Sequence, residues 1–190
     1  MIQLREGSGG HIHRISRGLR LGGVHDFLRT SAAAGADAIQ IREPDLSARE
    51  LFEIVRSAVA LTRGTPLKVL VNERIDVALL AGASGVHLRA NGPPVDRVRA
   101  IVPAGFLIGR SAHSDEEIER ARSADYLVFG TVFATPSKPG EAGQGLAALR
   151  RAVERFRGPV LAVGGITPAN ASSVLATGAA GYAAIGAIEP

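Results

Sequence analysis

The chain has no cysteine, no tryptophan, one methionine and only two lysines, Lys68 and Lys138, among its 22 basic residues. Without cysteine there are no disulfides, no thiolate metal ligands and no cysteine nucleophile, a composition that fits a cytoplasmic protein. No apolar run reaches the roughly 18 residues of a membrane span. The opening Met1-Ile-Gln-Leu-Arg-Glu-Gly7 lacks the basic-then-apolar order of a signal peptide. Neither a membrane partner nor a targeting leader is expected. Net charge is +4 with a pI near 10.3, enough to attract any phosphorylated ligand. The arginines are scattered among Asp and Glu on helical stretches and read as solvated faces. Only the segment His11-Ile-His-Arg-Ile-Ser-Arg-Gly-Leu-Arg20 is locally basic, and it carries no aromatic platform for bases, so no nucleic-acid partner is expected.

What is present is an aliphatic chain of 190 residues, 46% hydrophobic, with 23 glycines. That length suits one domain, residues 1–190, with a sizeable core. Short apolar runs alternate with helical spacing. Strands are expected near 12–16, 38–42, 68–72, 85–88, 107–109, 126–130, 160–164 and 182–186, and helices near 24–34, 47–63, 75–81, 95–101, 115–122, 146–156 and 168–177. Ser47 and Glu50 form a capping-box pattern ahead of the apolar stripe Leu51, Ile54, Val55 and Ala58. Near-continuous apolar strands suit a parallel sheet buried on both faces. The expected fold is an α/β (β/α)8 TIM barrel, lacking the final C-terminal helix, and the apolar surface such a gap exposes predicts a homodimer or another partner there.

Two loops are built for anions. Phe129-Gly-Thr-Val-Phe-Ala-Thr-Pro-Ser-Lys-Pro-Gly140 and Val163-Gly-Gly-Ile-Thr-Pro168 each follow an apolar strand. Glycine lets backbone N–H groups come close to a phosphate, and a helix start favours negative charge. Thr167 is the expected N-cap, Pro168 the first helical residue and Lys138 the cation. Residues following the strands would gather at one face of the barrel. There the candidate ligand-binding residues are Gln40, Arg42, Asn72, Arg89, Ser111, Thr135, Ser137 and Lys138, with Gly164, Gly165, Ile185 and Gly186 holding phosphate. Glu43 is read equally as a structural ion-pair partner of Arg42 or of a neighbouring strand, or as a ligand contact. His113 follows strand five, where imidazole suits proton transfer near neutrality. His87, inside an apolar strand, reads as a satisfied core histidine, whereas His11, His13 and His25 have no supporting context. No metal ligands are assigned.

The motifs Ile39-Gln-Ile-Arg-Glu43, Val71-Asn-Glu-Arg-Ile-Asp-Val-Ala-Leu79, Gly85-Val-His-Leu88, Ile108-Gly-Arg-Ser-Ala-His-Ser114, Thr135-Pro-Ser-Lys138 and Val163-Gly-Gly-Ile-Thr-Pro-Ala-Asn170 resemble the thiamine phosphate synthase/TenI superfamily. The resemblance implies a barrel of thiamin biosynthesis with a phosphorylated thiazole as ligand. It leaves two activities: coupling of a pyrimidine pyrophosphate to a thiazole phosphate, or tautomerisation of a carboxythiazole phosphate. Synthases carry Lys where this chain has Pro44, Asp where it has Glu73, and Gly followed by Asp where it has Arg89-Ala-Asn-Gly92. Those departures touch Mg2+ and pyrophosphate positions and favour a TenI-like thiazole tautomerase, an isomerase needing no cofactor, with His113 as its catalytic group. The alternatives are the synthase, a transferase that would use Mg2+, and a non-catalytic thiazole-phosphate-binding protein.

Overall fold

The computed structural model describes residues 10–136, 140 and 142–185. Eight parallel strands close into a barrel in sequence order. They are β1 (His11–Ile15), β2 (Ala38–Ile41), β3 (Lys68–Asn72), β4 (Gly85–Leu88), β5 (Leu107–Ala112), β6 (Tyr126–Gly130), β7 (Val160–Val163) and β8 (Gly181–Ile185). Seven α-helices connect them: α1 (Val24–Ala33), α2 (Ala48–Thr62), α3 (Ile75–Leu80), α4 (Val95–Arg99), α5 (Asp115–Arg120), α6 (Gly145–Arg155) and α7 (Pro168–Leu175). The expected (β/α)8 fold is therefore the observed one. The strands expected at 68–72, 85–88 and 126–130 have the same bounds in the structure, whereas β5 runs three residues beyond the expected 107–109.

Local chemistry sets these elements. The Ser47 hydroxyl accepts from the Glu50 N–H while the Glu50 carboxylate accepts from the Ser47 N–H at 2.9 Å, closing the expected capping box on α2. At α7, Pro168 occupies the first turn and the Thr167 N–H donates to Asn170 Oδ1 at 2.8 Å. The strands alternate between two packed layers. Ile39, Ile41, Val69, Val71, Val86, Leu88 and Ile108 pack outward against the helices. Ile15, Ala38, Leu70, Leu107, Tyr126, Val128, Leu161 and Ala183 fill the barrel interior.

That interior is not purely aliphatic. Tyr126 extends its ring across Gly109 on the neighbouring strand, its register partner, where a Cβ would overlap the ring. The ring stacks at a tilt on His87 and His13, with centroids 5.6 and 5.7 Å away. The short arm of Gly109 is thus the space that the largest interior side chain needs. Gly109→Ala is expected to cost about 1–3 kcal/mol of stability through overpacking. Urea unfolding checks this, and the penalty should shrink in a Tyr126→Leu background, where the overlapping ring is gone.

Candidate active site

Polar residues project from the carboxyl ends of the strands into two cavities on opposite sides of one mouth. The first, about 360 Å³, is lined by His113, Thr131, Thr135, Gly164, Gly165 and Ile185, among others, at the ends of β5 to β8. The second, about 190 Å³, lies at the ends of β2, β3 and β4 and reaches toward α2, where Glu43, Asn72, Glu73, Arg74 and Arg89 line it together with the apolar Ile41 and Leu51. In a closed strand order β3 and β7 are four strands apart, as far as eight strands permit.

The larger cavity is shaped by Gly164 and Gly165, whose φ values of +100° and +63° lie in the region that favours glycine. A side chain at Gly165 would come within 2.5 Å of the Ala134 carbonyl oxygen and 2.7 Å of Phe133 Cβ. The loop is fixed on both sides. Gly164 O accepts from the Phe133 N–H at 3.1 Å, and Gly165 O accepts from Asn170 Nδ2 at 3.0 Å. The start of α7 is thereby tied to the glycine turn. His113 is exposed, with its backbone N–H donating to Glu117 Oε2 at 2.6 Å and Nδ1 engaging the Gly130 carbonyl oxygen. Ser137, Lys138 and Gly186, expected here, lie outside the described residues.

Between the cavities runs a buried polar floor. Gln40 Nε2 donates to Asn72 Oδ1 at 2.9 Å. The His87 ring bridges Tyr126 OH through Nδ1 at 3.1 Å and Ser111 Oγ through Nε2 at 2.9 Å. His87 is a satisfied buried histidine, as expected, and it also orients Ser111. Burial pushes its pKa down to about 3. His13, read as contextless in the sequence, is fully enclosed here. Burial, and then the nearby His87 and His11 rings, hold it well below the usual histidine value.

In the smaller cavity Glu43 is held from the side of the neighbouring strand rather than by Arg42. Ser16 donates its hydroxyl proton to Glu43 Oε1 at 2.6 Å and accepts the Arg42 backbone N–H at 3.0 Å, so Glu43 is buried against β1 instead. Glu73 pairs with Arg89, Oε2 to Nε 2.6 Å. Arg110, absent from the expected site, is buried beneath the loop after β4 and donates to the carbonyl oxygens of Ala90, Gly92 and Pro93 at 2.7, 3.1 and 2.7 Å. Its signal in the sequence was a charged residue inside the apolar run Ile108-Gly-Arg. Among the described residues no group of three His, Cys, Asp or Glu side chains could hold a metal ion, and no helix is long and apolar enough to cross a membrane.

Fold and mouth define the class: a (β/α)8 barrel with its candidate site at the carboxyl face of the strands. The chain belongs to the thiamine monophosphate synthase family, which it matches over residues 17–188. It is 45% identical to a thiamine-phosphate synthase of Methanoculleus marisnigri over 166 residues, which cover 86% of this chain and 79% of that protein. A thiamine-phosphate synthase of Archaeoglobus fulgidus is 44% identical over 171 residues, 88% of this chain and 80% of that one. The solved thiamine phosphate pyrophosphorylase of Pyrococcus furiosus superposes with a TM-score of 0.80 at 36% identity, covering 92% of this chain and 85% of that one. These relatives overturn the expected TenI-like tautomerase and its isomerase class. The departures at Pro44, Glu73 and Arg89 sit in a chain whose similar relatives carry the synthase name.

The two enclosed histidines give the barrel a pH signature. Their folded pKa values lie below the unfolded value of about 6.5, so the unfolded chain binds more protons as pH falls through 6.5, and stability is lost on that side. Carboxylates still titrate little between pH 6.5 and 5. In that window each histidine should remove up to about 1.4 kcal/mol per pH unit. Urea midpoints at pH 7, 6 and 5 check this, and a flat profile would contradict the neutral interior.

Proposed function

We propose that the chain is a thiamine-phosphate synthase, a transferase joining a pyrimidine pyrophosphate to a thiazole phosphate. The observation that carries this reading is the pair of cavities on opposite sides of one mouth. Coupling two anionic substrates requires two anion-holding positions facing a common space, with the reacting centres between them. The names of the relatives support the same activity.

In this reading the thiazole phosphate lies in the larger cavity, its phosphate against the Gly164-Gly165 turn and the start of α7, with Thr135 and His113 beside it. The pyrimidine pyrophosphate lies across Gln40, Asn72 and Ser111, its diphosphate toward Arg42 and Arg89. In the reaction the C–O bond to the diphosphate breaks and its electron pair departs with the leaving group. The thiazole supplies the pair for the new bond. Ser111, held by His87, and Asn72, held by Gln40, orient the pyrimidine by hydrogen bonds whose directions are set before the ligand arrives. His87 stays neutral and transfers no proton.

Resemblance to synthases implies Mg2+ at the diphosphate. The donor set here does not fit it: Glu73 is already paired with a guanidinium, Glu43 is turned toward Ser16, and Mg2+ prefers carboxylate oxygens in strict octahedral geometry. No step is assigned to a metal.

Incubation of the chain with a pyrimidine pyrophosphate and thiazole phosphate should yield thiamine phosphate and release one diphosphate per turnover, measured by chromatography with fluorescence detection. Failure to form product with either EDTA or Mg2+ present would sink the reading. Gly165→Val should weaken thiazole phosphate binding at least about tenfold, because its Cβ meets the Ala134 carbonyl oxygen and Phe133 and displaces the glycine turn that lines the cavity, while leaving inorganic pyrophosphate binding unchanged. The variant also carries backbone strain of about 1–2 kcal/mol at positive φ. Its test is therefore the selectivity of the loss, read by calorimetry with both ligands; equal losses would place the thiazole phosphate elsewhere.

A further inference from the structure

The smaller cavity contains a cation set in place by three independent features. Arg89 uses Nε on Glu73 at 2.6 Å, and its terminal Nη groups make no other hydrogen bond or ion pair among the described residues. Arg74, the other arginine lining this cavity, is occupied by a two-pronged pair with Asp76 at 2.9 and 2.6 Å. Arg89 thus presents unspent, fork-shaped donors to the cavity, a geometry that matches phosphate oxygens.

The second feature is Glu73, the one non-glycine residue with positive φ among the described residues, at +60°. Hydrogen bonds on both sides hold the turn: Glu73 N–H donates to His87 O at 2.9 Å, and Ile75 N–H donates to Glu73 O at 2.9 Å. A side chain in this region costs about 1–2 kcal/mol, and here the unusual backbone accompanies a carboxylate paired with Arg89. The third is Arg110, which fixes the carbonyls of Ala90, Gly92 and Pro93, while the Gly92 N–H donates to Arg89 O at 3.0 Å. The backbone that carries Arg89 is therefore held before any ligand arrives.

We propose that Arg89 is the cation that receives the diphosphate, in the place of a divalent metal, with Glu73 as its anchor and Arg110 as a positioning residue acting through the loop. This rests on the synthase reading for its substrate. A guanidinium 2.6 Å from the Glu73 carboxylate opposes a dication at that carboxylate, since both charges are positive and close. The same guanidinium neutralises charge that collects on a departing diphosphate as its C–O bond breaks. One positive side chain thus takes over the electrostatic part of the metal's work.

The probe is inorganic pyrophosphate, titrated calorimetrically into the full chain in EDTA and again with Mg2+. The wild-type chain should bind in EDTA. Arg89→Ala should weaken that binding by about 10- to 100-fold, the range for losing charge-assisted hydrogen bonds. Arg89→Lys should recover part of it, since charge remains but the fork does not. Glu73→Gln should keep binding in EDTA within a few fold, because it loosens the cation without removing it. Arg89 is exposed, and melting temperatures confirm that each variant is folded. Pyrophosphate binding that appears only with Mg2+ and disappears in Glu73→Gln would overturn the proposal and assign Glu73 to a metal. Undiminished binding in Arg89→Ala would overturn it as well. The coupling assay run alongside separates the two readings. Arg89-dependent pyrophosphate binding in EDTA without thiamine phosphate formation under any condition sustains the anion site and removes the synthase reading. Coupling that strictly requires Mg2+ keeps the synthase and removes the proposal.

Discussion

Closure of the sheet between its first and last strands is the constraint on which the site depends. Five register pairs, from His11 with Gly181 to Ile15 with Ile185, join β1 to β8 in parallel. The seam is tight enough that a Cβ on Gly181 would overlap the His11 backbone. Without that seam the strand ends would fan out as an open sheet, and residues of β2, β3 and β4 would not face those of β6, β7 and β8 across a common space. Ring closure turns separate strand-end loops into one mouth, and the two cavities are consequences of where glycine or charge falls around the ring.

The interior beneath that mouth carries polar groups at low net charge. Gln40 hydrogen-bonds Asn72, and His87 hydrogen-bonds both Tyr126 and Ser111, while burial holds His13 and His87 neutral and keeps the Tyr126 phenol protonated. Attraction for anions therefore comes from the rim, while the floor supplies direction. Such a division suits ligands that carry phosphate at one end and a heteroaromatic ring at the other.

Much of the fold was legible from hydrophobic alternation and capping. The capping box at Ser47 and the punctuating glycines place helices and strands closely because local hydrogen bonding and backbone conformation decide them. The interior was less legible. His13 and Tyr126 are buried by partners on other strands, and the run expected to end at Gly109 continues because Arg110 turns outward beneath a loop while Ser111 turns inward to His87. No spacing within one segment reveals such partners. Glu43 found Ser16 rather than its neighbour Arg42 for the same reason. The branch of the family is not legible in Pro44, Glu73 and Arg89, because altered metal and pyrophosphate positions do not by themselves mean that coupling is lost. The Glu73–Arg89 contact that joins two of those positions is formed only across strands.

Arg110 grips the loop after β4 through main-chain carbonyls alone. A grip of that kind is blind to side-chain identity at Ala90 and Asn91. The path of the loop is fixed while its chemistry is left open, so new side chains can be tried at those two positions without displacing the residue at its base. The barrel thus has a rim segment whose specificity can be rewritten without altering its shape.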